Sequence, residues 1–248
     1  MTLKILTVEN PKTLKGEAHG YLTAVLHLAP ARVAGRGNVC PWSTLGCRKF
    51  CLNEAGRGGI FKAGETTNTI QEARKRKTRA FFDDRPSFIA DLIRDIDRFV
   101  AYAARHGLRP AVRLNGTSDL AWERLAPEIF NRFPGVTFYD YTKSEARVLE
   151  YVAGLLPSNY SLTFSRSELT GDATVRSMLA AGVNVAVPFD APGDDPRVAK
   201  HAFEAWGHSV INGDLSDLRF KDPRGVVVAL KAKGPARKDD TGFVVRMK

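Results

Sequence analysis

The residues with the clearest chemistry are three cysteines that lie within twelve positions of one another, in the segment NVCPWSTLGCRKFCLN. They are Cys40, Cys47 and Cys51, and the sequence contains no other cysteine. Thiolates are soft ligands that bind iron–sulfur clusters, zinc or copper(I). A secreted disulfide framework would use an even number of cysteines, more widely spaced. The spacing therefore predicts that all three residues bind one metal centre, with an iron–sulfur cluster favoured.

Three cysteines leave a four-coordinate site one ligand short. The missing ligand could be His27, an acidic residue or an external molecule, or one iron could stay open for chemistry. Zinc is the alternative metal, although zinc sites prefer closely spaced cysteine pairs and only Cys47 and Cys51 approach that spacing. Three structural thiols without a metal are the remaining alternative.

Alternating strand and helix patterns follow the cysteines. A strand is predicted over 20–28, a cysteine- and glycine-containing loop over 29–64, and helices over 67–82 and from Pro86 to Gly107. Five further strands are predicted at 110–115, 136–141, 160–165, 184–189 and 208–212. The helices between them are predicted near 121–132, 143–154, 172–181 and 196–206.

Strands that alternate with helices indicate βαβ units and a largely parallel sheet. We predict a single α/β domain over 1–248 that forms a partial (β/α)6 barrel, with an open doubly wound sheet as the alternative. The last residues differ in pattern, since 225–230 and 242–245 are short apolar runs separated by a charged loop. They predict a C-terminal β-hairpin extension over 222–248.

Polar residues follow several predicted strands, where parallel sheets bind their ligands. The predicted catalytic residues are Asp119, Asp140 and Lys143. Two of them have a structural alternative: Asp119 could cap the helix that contains Trp122, and Lys143 could be solvent-exposed. Other polar residues at these strand ends are Asn115, Thr117, Ser165 and Arg166.

The chain is basic, because 37 Lys and Arg residues outnumber 27 Asp and Glu residues and give a formal charge of +10. This balance favours a nucleic acid as partner, with a solvated basic surface as the alternative. Basic residues concentrate at 74–77 and between Lys231 and Lys238. No aromatic residue is interleaved with either patch along the sequence, which counts against single-strand binding.

No apolar run reaches the roughly 18 residues of a membrane span. The N-terminal residues have no apolar core of a signal peptide. The sequence therefore predicts a cytoplasmic protein without a membrane partner.

The cysteine loop and its position after the first strand resemble the radical S-adenosylmethionine superfamily. That superfamily holds a [4Fe–4S] cluster by three cysteines, usually spaced C-x3-C-x2-C with an aromatic residue before the last. Here the spacing is C-x6-C-x3-C, and Phe50 precedes Cys51. The resemblance implies S-adenosylmethionine as cofactor, with Phe50 beside it. It also implies that the cofactor is contacted by Asn115, Gly116, Thr117, Ser165 and Arg166.

A closer resemblance covers nearly the whole chain. The segments GYLTAVLHLAPARVAG, NVCPWSTLGCRKFCLN, RLNGTSDLAWE, NGDLSDLRFKDP and VVVALKAKGPAR are similar to the bacteriophage "gene product 88" family. This resemblance implies a phage origin, hence the cytoplasm of the host cell, and a cysteine-containing site, but no reaction. The predicted function is a radical S-adenosylmethionine-like iron–sulfur enzyme. The alternative is a non-catalytic nucleic-acid-binding protein stabilised by an iron–sulfur cluster or zinc.

Overall fold

A computed structural model of the chain describes residues 4–8 and 16–247. Its contacts divide the chain into two compact units, each assembled from separate stretches of sequence. Of the described residues, the first unit comprises 4–8, 16–41, 57–140 and 156–161, and the second comprises 42–56, 141–155 and 162–247. The single domain over 1–248 stays a prediction.

The first unit contains two long helices and short connecting ones. Its elements are β1 (Leu6–Thr7), β2 (Tyr21–Leu26), α2 (Thr69–Asp83), α3 (Arg85–Arg105), β3 (Arg109–Arg113), α4 (Trp122–Leu125), α5 (Pro127–Arg132), most of β4 (Thr137–Thr142) and the start of β5 (Tyr160–Ser165). The Asp84 side chain caps α3 by accepting a 3.1 Å hydrogen bond from Ser87 N. The buried face of α3 is an apolar stripe whose residues recur every three or four positions: Phe88, Leu92, Ile96, Phe99 and Ala103.

The second unit contains α1 (Leu45–Lys49) and the α/β elements of the C-terminal half. These are α6 (Glu145–Val152), α7 (Asp172–Ala180), β6 (Val185–Phe189), α8 (Pro196–Trp206), β7 (Val210–Asn212) and β8 (Val227–Lys231). Its main core packs the buried faces of these helices against the strands, and includes Phe164, Leu179, Val187, Phe189 and Trp206. A smaller cluster joins Phe50 to Ala232, Ala236 and Val244.

The eight strands are hydrogen-bonded in the order β1-β2-β3-β4-β5-β6-β8-β7. β1 pairs antiparallel with β2, and the pairs β2–β3, β3–β4, β5–β6, β6–β8 and β8–β7 are parallel. The α/β class and the mostly parallel sheet are therefore confirmed. Within the described ranges the sheet is open, with β1 and β7 as its edge strands, so closure into a barrel is not found.

The predicted C-terminal hairpin is wrong. β8 enters the sheet between β6 and β7 and is parallel to both, with Val227 opposite Val185 and Val210. The second predicted strand forms only a single parallel bridge, between Val245 and Phe189. The physical reason is the continuous apolar run from Val226 to Ala229, which is buried on both faces as in a central parallel strand.

Most other predicted elements match the observed ones to within a few residues. The helix predicted over 121–132 is instead two short helices, because Pro127 disfavours helical backbone at Ala126. The two-residue strand β1 and the helix α1, inside the 29–64 loop, were not predicted. In the part of the chain that is described, no helix is both long and apolar enough to cross a membrane.

Candidate functional site

The sulfur of Cys40 is held in the first unit by backbone groups. Its Sγ accepts a hydrogen bond from Ala31 N at 3.2 Å and lies 3.7 Å from the carbonyl oxygen of Thr117, to which the thiol donates. Ala31 has a φ of +47°, which is uncommon for a residue with a side chain. Strained backbone of this kind concentrates at functional sites. The Cys40 segment is therefore fixed against the turn that follows β3.

A buried hydrogen-bond network shapes that turn. Asp140 is completely buried, and its Oδ1 accepts from Asn115 N at 2.7 Å. Its Oδ2 accepts from Asn115 Nδ2 at 3.1 Å and from the Tyr160 hydroxyl at 2.9 Å. The Asn115 side-chain oxygen in turn accepts from Leu120 N at 2.9 Å. The structure thus brings the predicted residues Asn115 and Asp140 together and gives Asp140 a positioning role.

Two further predicted residues of the turn contact the end of β2. Gly116 N donates to Leu26 O at 2.9 Å, and a Cβ at Gly116 would lie 2.7 Å from both that oxygen and the His27 ring. The Thr117 hydroxyl donates to Leu28 O at 2.6 Å. Only glycine fits this close approach of two backbone segments. The turn is therefore built around Gly116.

Asp119 does not cap the helix that contains Trp122, so that alternative is wrong. The residue at the N-cap of α4 is Ala121, which makes no side-chain cap bond. Asp119 is instead buried, and its backbone N donates to Val39 O at 2.8 Å. Val39 directly precedes Cys40, so Asp119 also helps to fix the cysteine segment.

The other two cysteines lie in the second unit, on and just after α1. The Thr44 side chain caps α1 by accepting a 3.3 Å hydrogen bond from Cys47 N. The Cys51 Sγ accepts from Asn53 N at 3.5 Å. Both sulfurs belong to free thiols that are partly exposed, as is the Cys40 thiol.

Glu168 anchors α1 and was missed by the sequence reasoning. Its Oε1 accepts from Gly46 N at 2.7 Å, and its Oε2 accepts from the Thr44 hydroxyl at 2.7 Å. Partial burial acts to raise the pKa of Glu168, but the hydrogen bonds from Gly46 N, the Thr44 hydroxyl and its own backbone N–H, together with the charge of Lys143, outweigh it and lower the pKa below its ordinary value. The carboxylate form therefore anchors the start of the cysteine helix.

The C-terminal residues pack against the same helix. Lys49 Nζ pairs with Asp240 at 2.7 Å, and a Cβ at Gly46 would lie 2.5 Å from the Thr241 hydroxyl and 2.8 Å from the Phe243 Cβ. Phe50, predicted beside the cofactor, is buried in the cluster with Val244. The segment 242–245, which was predicted as a hairpin strand, thus packs against α1.

Three predicted residues come together at the ends of β4 and β5. Lys143 Nζ donates to the Ser165 hydroxyl at 2.6 Å and lies 5.4 Å from the centre of the Phe243 ring. Arg166 donates to the carbonyl oxygens of Gly242 and Phe243 at 3.2 and 3.3 Å. Burial lowers the pKa of Arg166, and its Nε has no hydrogen-bond partner among the described residues. Lys143 is half-buried, whereas the structural alternative for this residue was an exposed side chain.

The donor chemistry fits an iron–sulfur cluster, because the loop supplies three free thiols and two of the sulfurs already accept backbone N–H groups. The arrangement fits less well. Within residues 4–8 and 16–247, no group of three or more Cys, His, Asp or Glu side chains is placed to hold a metal ion. The structure thus shows a cysteine loop with fixed backbone anchors rather than a formed metal centre.

Together these features define an α/β protein with an open, mostly parallel sheet and three free cysteines in one loop. The family model for gene product 88 matches residues 4–247, so the chain belongs to the gene product 88 family. This membership supports the bacteriophage origin that the sequence resemblance implied. No curated protein and no solved structure matches the chain.

Proposed function

We propose that this protein is an iron–sulfur protein in which Cys40, Cys47 and Cys51 ligate a [4Fe–4S] cluster. The observation that carries the proposal is the hydrogen bonding of the sulfurs, since Cys40 Sγ accepts from Ala31 N and Cys51 Sγ accepts from Asn53 N. Hydrogen bonds of this kind stabilise negative charge on sulfur and are one means by which proteins tune such clusters.

The anchoring of the cysteine segment supports the same function. Glu168 and Thr44 fix the start of α1, which carries Cys47, and Asp119 N fixes the residue before Cys40. Ligands held by a supporting layer of hydrogen bonds lose little conformational freedom when they bind. The bonds from Thr44 and Gly46 to Glu168 join residues more than 120 positions apart, so tertiary structure fixes this part of the loop.

Within this proposal, the enzyme is radical S-adenosylmethionine-like. Three cysteine ligands leave one iron of a [4Fe–4S] cluster open to a small molecule. The turn Asn115–Thr117 is suited to contact that molecule because Gly116 permits close backbone approach. Ser165 is the last residue of β5 and Arg166 follows it, and the Arg166 Nε, which has no partner among the described residues, is a donor for an anionic group.

The proposed substrate-facing residues divide by burial. Lys143 is half-buried and its ammonium group lies beside Ser165, so it can donate to a ligand. Asp140 has both oxygens engaged and no exposed surface. In this proposal Lys143 contacts substrate, whereas the two buried carboxylates act by positioning: Asp119 through the segment before Cys40, and Asp140 through the Asn115 turn.

The alternative function is a non-catalytic nucleic-acid-binding protein whose cysteine loop holds a cluster or zinc. The charge of +10 supports this alternative. Metal analysis and the absorption spectrum distinguish zinc from an iron–sulfur cluster, because zinc gives no visible absorption whereas iron–sulfur clusters are coloured.

The test of the enzyme function uses anaerobically reconstituted and reduced protein mixed with S-adenosylmethionine. The proposal predicts binding and reductive cleavage, and both are lost when the three cysteines are changed to serine. The matched control is His106→Ala, which removes an exposed imidazole outside the loop. If the wild-type protein holds a cluster but leaves S-adenosylmethionine unbound and intact, the radical S-adenosylmethionine assignment is wrong.

A further inference from the structure

The first unit has an open groove that none of the cysteines lines. It lies between α2, α3 and residues 4–8, and its volume is about 760 Å³. Among the described residues, five cationic side chains and one acidic side chain, that of Asp95, line it. The cations are Lys4, Arg76, Lys77, Arg98 and Arg105. This excess of positive charge favours a polyanionic ligand.

Two of the charged groups form the floor of the groove and hold residues 5 and 6. Asp95 Oδ2 accepts from Ile5 N at 2.6 Å and from Leu6 N at 3.2 Å. Lys77 is 7% exposed, and its Nζ donates to Ile5 O at 3.0 Å. The Asp95 carboxylate keeps its negative charge while it accepts these bonds, so it offsets one of the five positive charges that line the groove.

The other four cations lie at the rim, and Arg98 is the one of them that pairs with a carboxylate of the described residues. The Arg98 side chain is 66% exposed. Its Nη1 lies 3.6 Å from Asp95 Oδ1, which is a long distance for an ion pair. Lys4, Arg76 and Arg105 are exposed, and in the described part of the chain no carboxylate pairs with them. Exposed cations without partners can bind phosphate groups with little competition from within the protein.

An aromatic ring lies among these cations. Arg98, Tyr102 and Arg105 lie on one face of α3, because they are separated by four and three residues. Tyr102 is 38% exposed, and its ring lies 4.2 Å from that of His106 and 5.8 Å from the Arg105 guanidinium. Arg98 and Arg105 lie outside the two basic patches recognised in the sequence, so this combination of cations and an aromatic ring was not among the predicted features.

We infer that this groove binds a short stretch of single-stranded nucleic acid. Its phosphates contact Lys4, Arg76, Arg98 and Arg105, and a base stacks on Tyr102. Single-strand binding sites combine a cationic groove that follows the backbone with an aromatic ring on which a base stacks. The site does not depend on the iron–sulfur proposal, because it contains no cysteine.

The experiment measures binding of fluorescein-labelled oligo(dT) and oligo(rU) of about twelve nucleotides by fluorescence anisotropy over a salt series. For the double variant R98A/R105A we expect at least a tenfold weaker affinity. We also expect its slope of log K against log salt to be shallower by about 1.4, since each phosphate contact on a single strand contributes roughly 0.7.

Tyr102 separates stacking from general charge attraction. We expect Tyr102→Ala to weaken binding roughly tenfold with an unchanged salt slope, and Tyr102→Phe to bind like the wild type, because base stacking contributes about 1–3 kcal/mol. Arg94→Ala is the matched control, since it removes an exposed arginine of α3 that does not line the groove. Circular dichroism melting establishes that every variant is folded.

Three outcomes would overturn the inference. The first is no binding of either oligonucleotide at low salt. The second is equal loss of affinity in R94A and R98A/R105A, which would indicate a diffuse basic surface. The third is equal affinity for duplex DNA or polyglutamate together with no effect of Tyr102→Ala. Binding that persists when the three cysteines are changed to serine supports the independence of this site.

Discussion

The Glu168 carboxylate accepts a 2.7 Å hydrogen bond from the backbone N–H of Gly46, a residue 122 positions earlier in the chain. Gly46 directly precedes Cys47, so this bond fixes the start of the short helix that carries a proposed cluster ligand. A Cβ at Gly46 would lie 2.8 Å from the same carboxylate. The same close contact therefore explains both the glycine at position 46 and the glutamate at position 168.

Replacement of Glu168 tests whether this anchor supports the ligand. In Glu168→Ala the Gly46 N–H and the Thr44 hydroxyl lose their acceptor, and we expect a loss of about 1–2 kcal/mol of unfolding free energy. We also expect faster iron loss to a chelator. Urea unfolding and chelator kinetics measure the two effects. Glu145→Ala, an exposed carboxylate of α6, is the control, and equal iron loss in both variants would contradict the anchor.

Gly46→Ala tests the close packing of α1. The added methyl group would meet the Thr241 hydroxyl and Phe243, and overpacking of this kind costs about 1–3 kcal/mol. Denaturant unfolding measures the cost. The control is Gly171→Ala, because nothing lies within 4 Å of a Cβ at Gly171 and its φ is −71°. A Gly46→Ala protein as stable as the control would show that the packing around α1 is loose.

Asp140→Asn tests the positioning role of Asp140. One of its two side-chain acceptors becomes a donor that faces Asn115 or Tyr160, and we expect a loss of about 2–4 kcal/mol because the group is fully buried. Tyr160→Phe removes the hydrogen bond from the Tyr160 hydroxyl to Asp140 Oδ2 and should cost about 1 kcal/mol. A stable Asp140→Asn protein that has lost only activity would instead make Asp140 a catalytic residue.

The pKa of Glu168 predicts acid sensitivity of the cysteine segment. Its folded-state pKa lies below the ordinary value of 4.5, so the folded state binds fewer protons than the unfolded state in this range. Its stabilising contribution is present above pH 4.5 and is lost as the pH falls through the lowered pKa. Unfolding free energies at pH 7 and at pH 3 measure this loss. The loss should be smaller in Glu168→Gln, and an identical loss in that variant would assign the effect to other carboxylates.

Local pattern predicted the elements well, and long-range pairing explains the failures. The stripe from Phe88 to Ala103 predicts α3 from its spacing alone. The run 226–229 predicts a strand, but nothing local places β8 between β6 and β7. Glu168 was missed because its partners are more than 120 residues away.

The groove between α2 and α3 is lined by residues whose spacing was visible in the sequence. Arg98, Tyr102 and Arg105 follow the same helical spacing as the apolar stripe on α3. The prediction from that spacing covered only the buried, apolar face of the helix. The basic run 74–77 shows the opposite error. Its sequence predicts four cations available to a ligand, but Lys77 is buried and Lys75 pairs with Glu72. Exposure, which the sequence does not give, decides which cations are available.

The most direct test of the central claim is iron and acid-labile sulfide analysis of anaerobically purified, reconstituted protein, together with its absorption spectrum. A [4Fe–4S] cluster predicts about four iron and four sulfide per chain and a broad absorption band near roughly 400 nm. Cys40→Ser, Cys47→Ser and Cys51→Ser should each lose most of the iron while keeping the wild-type circular dichroism spectrum. Folded, colourless wild-type protein without iron after reconstitution, or iron content that is unchanged in the serine variants, would contradict the account.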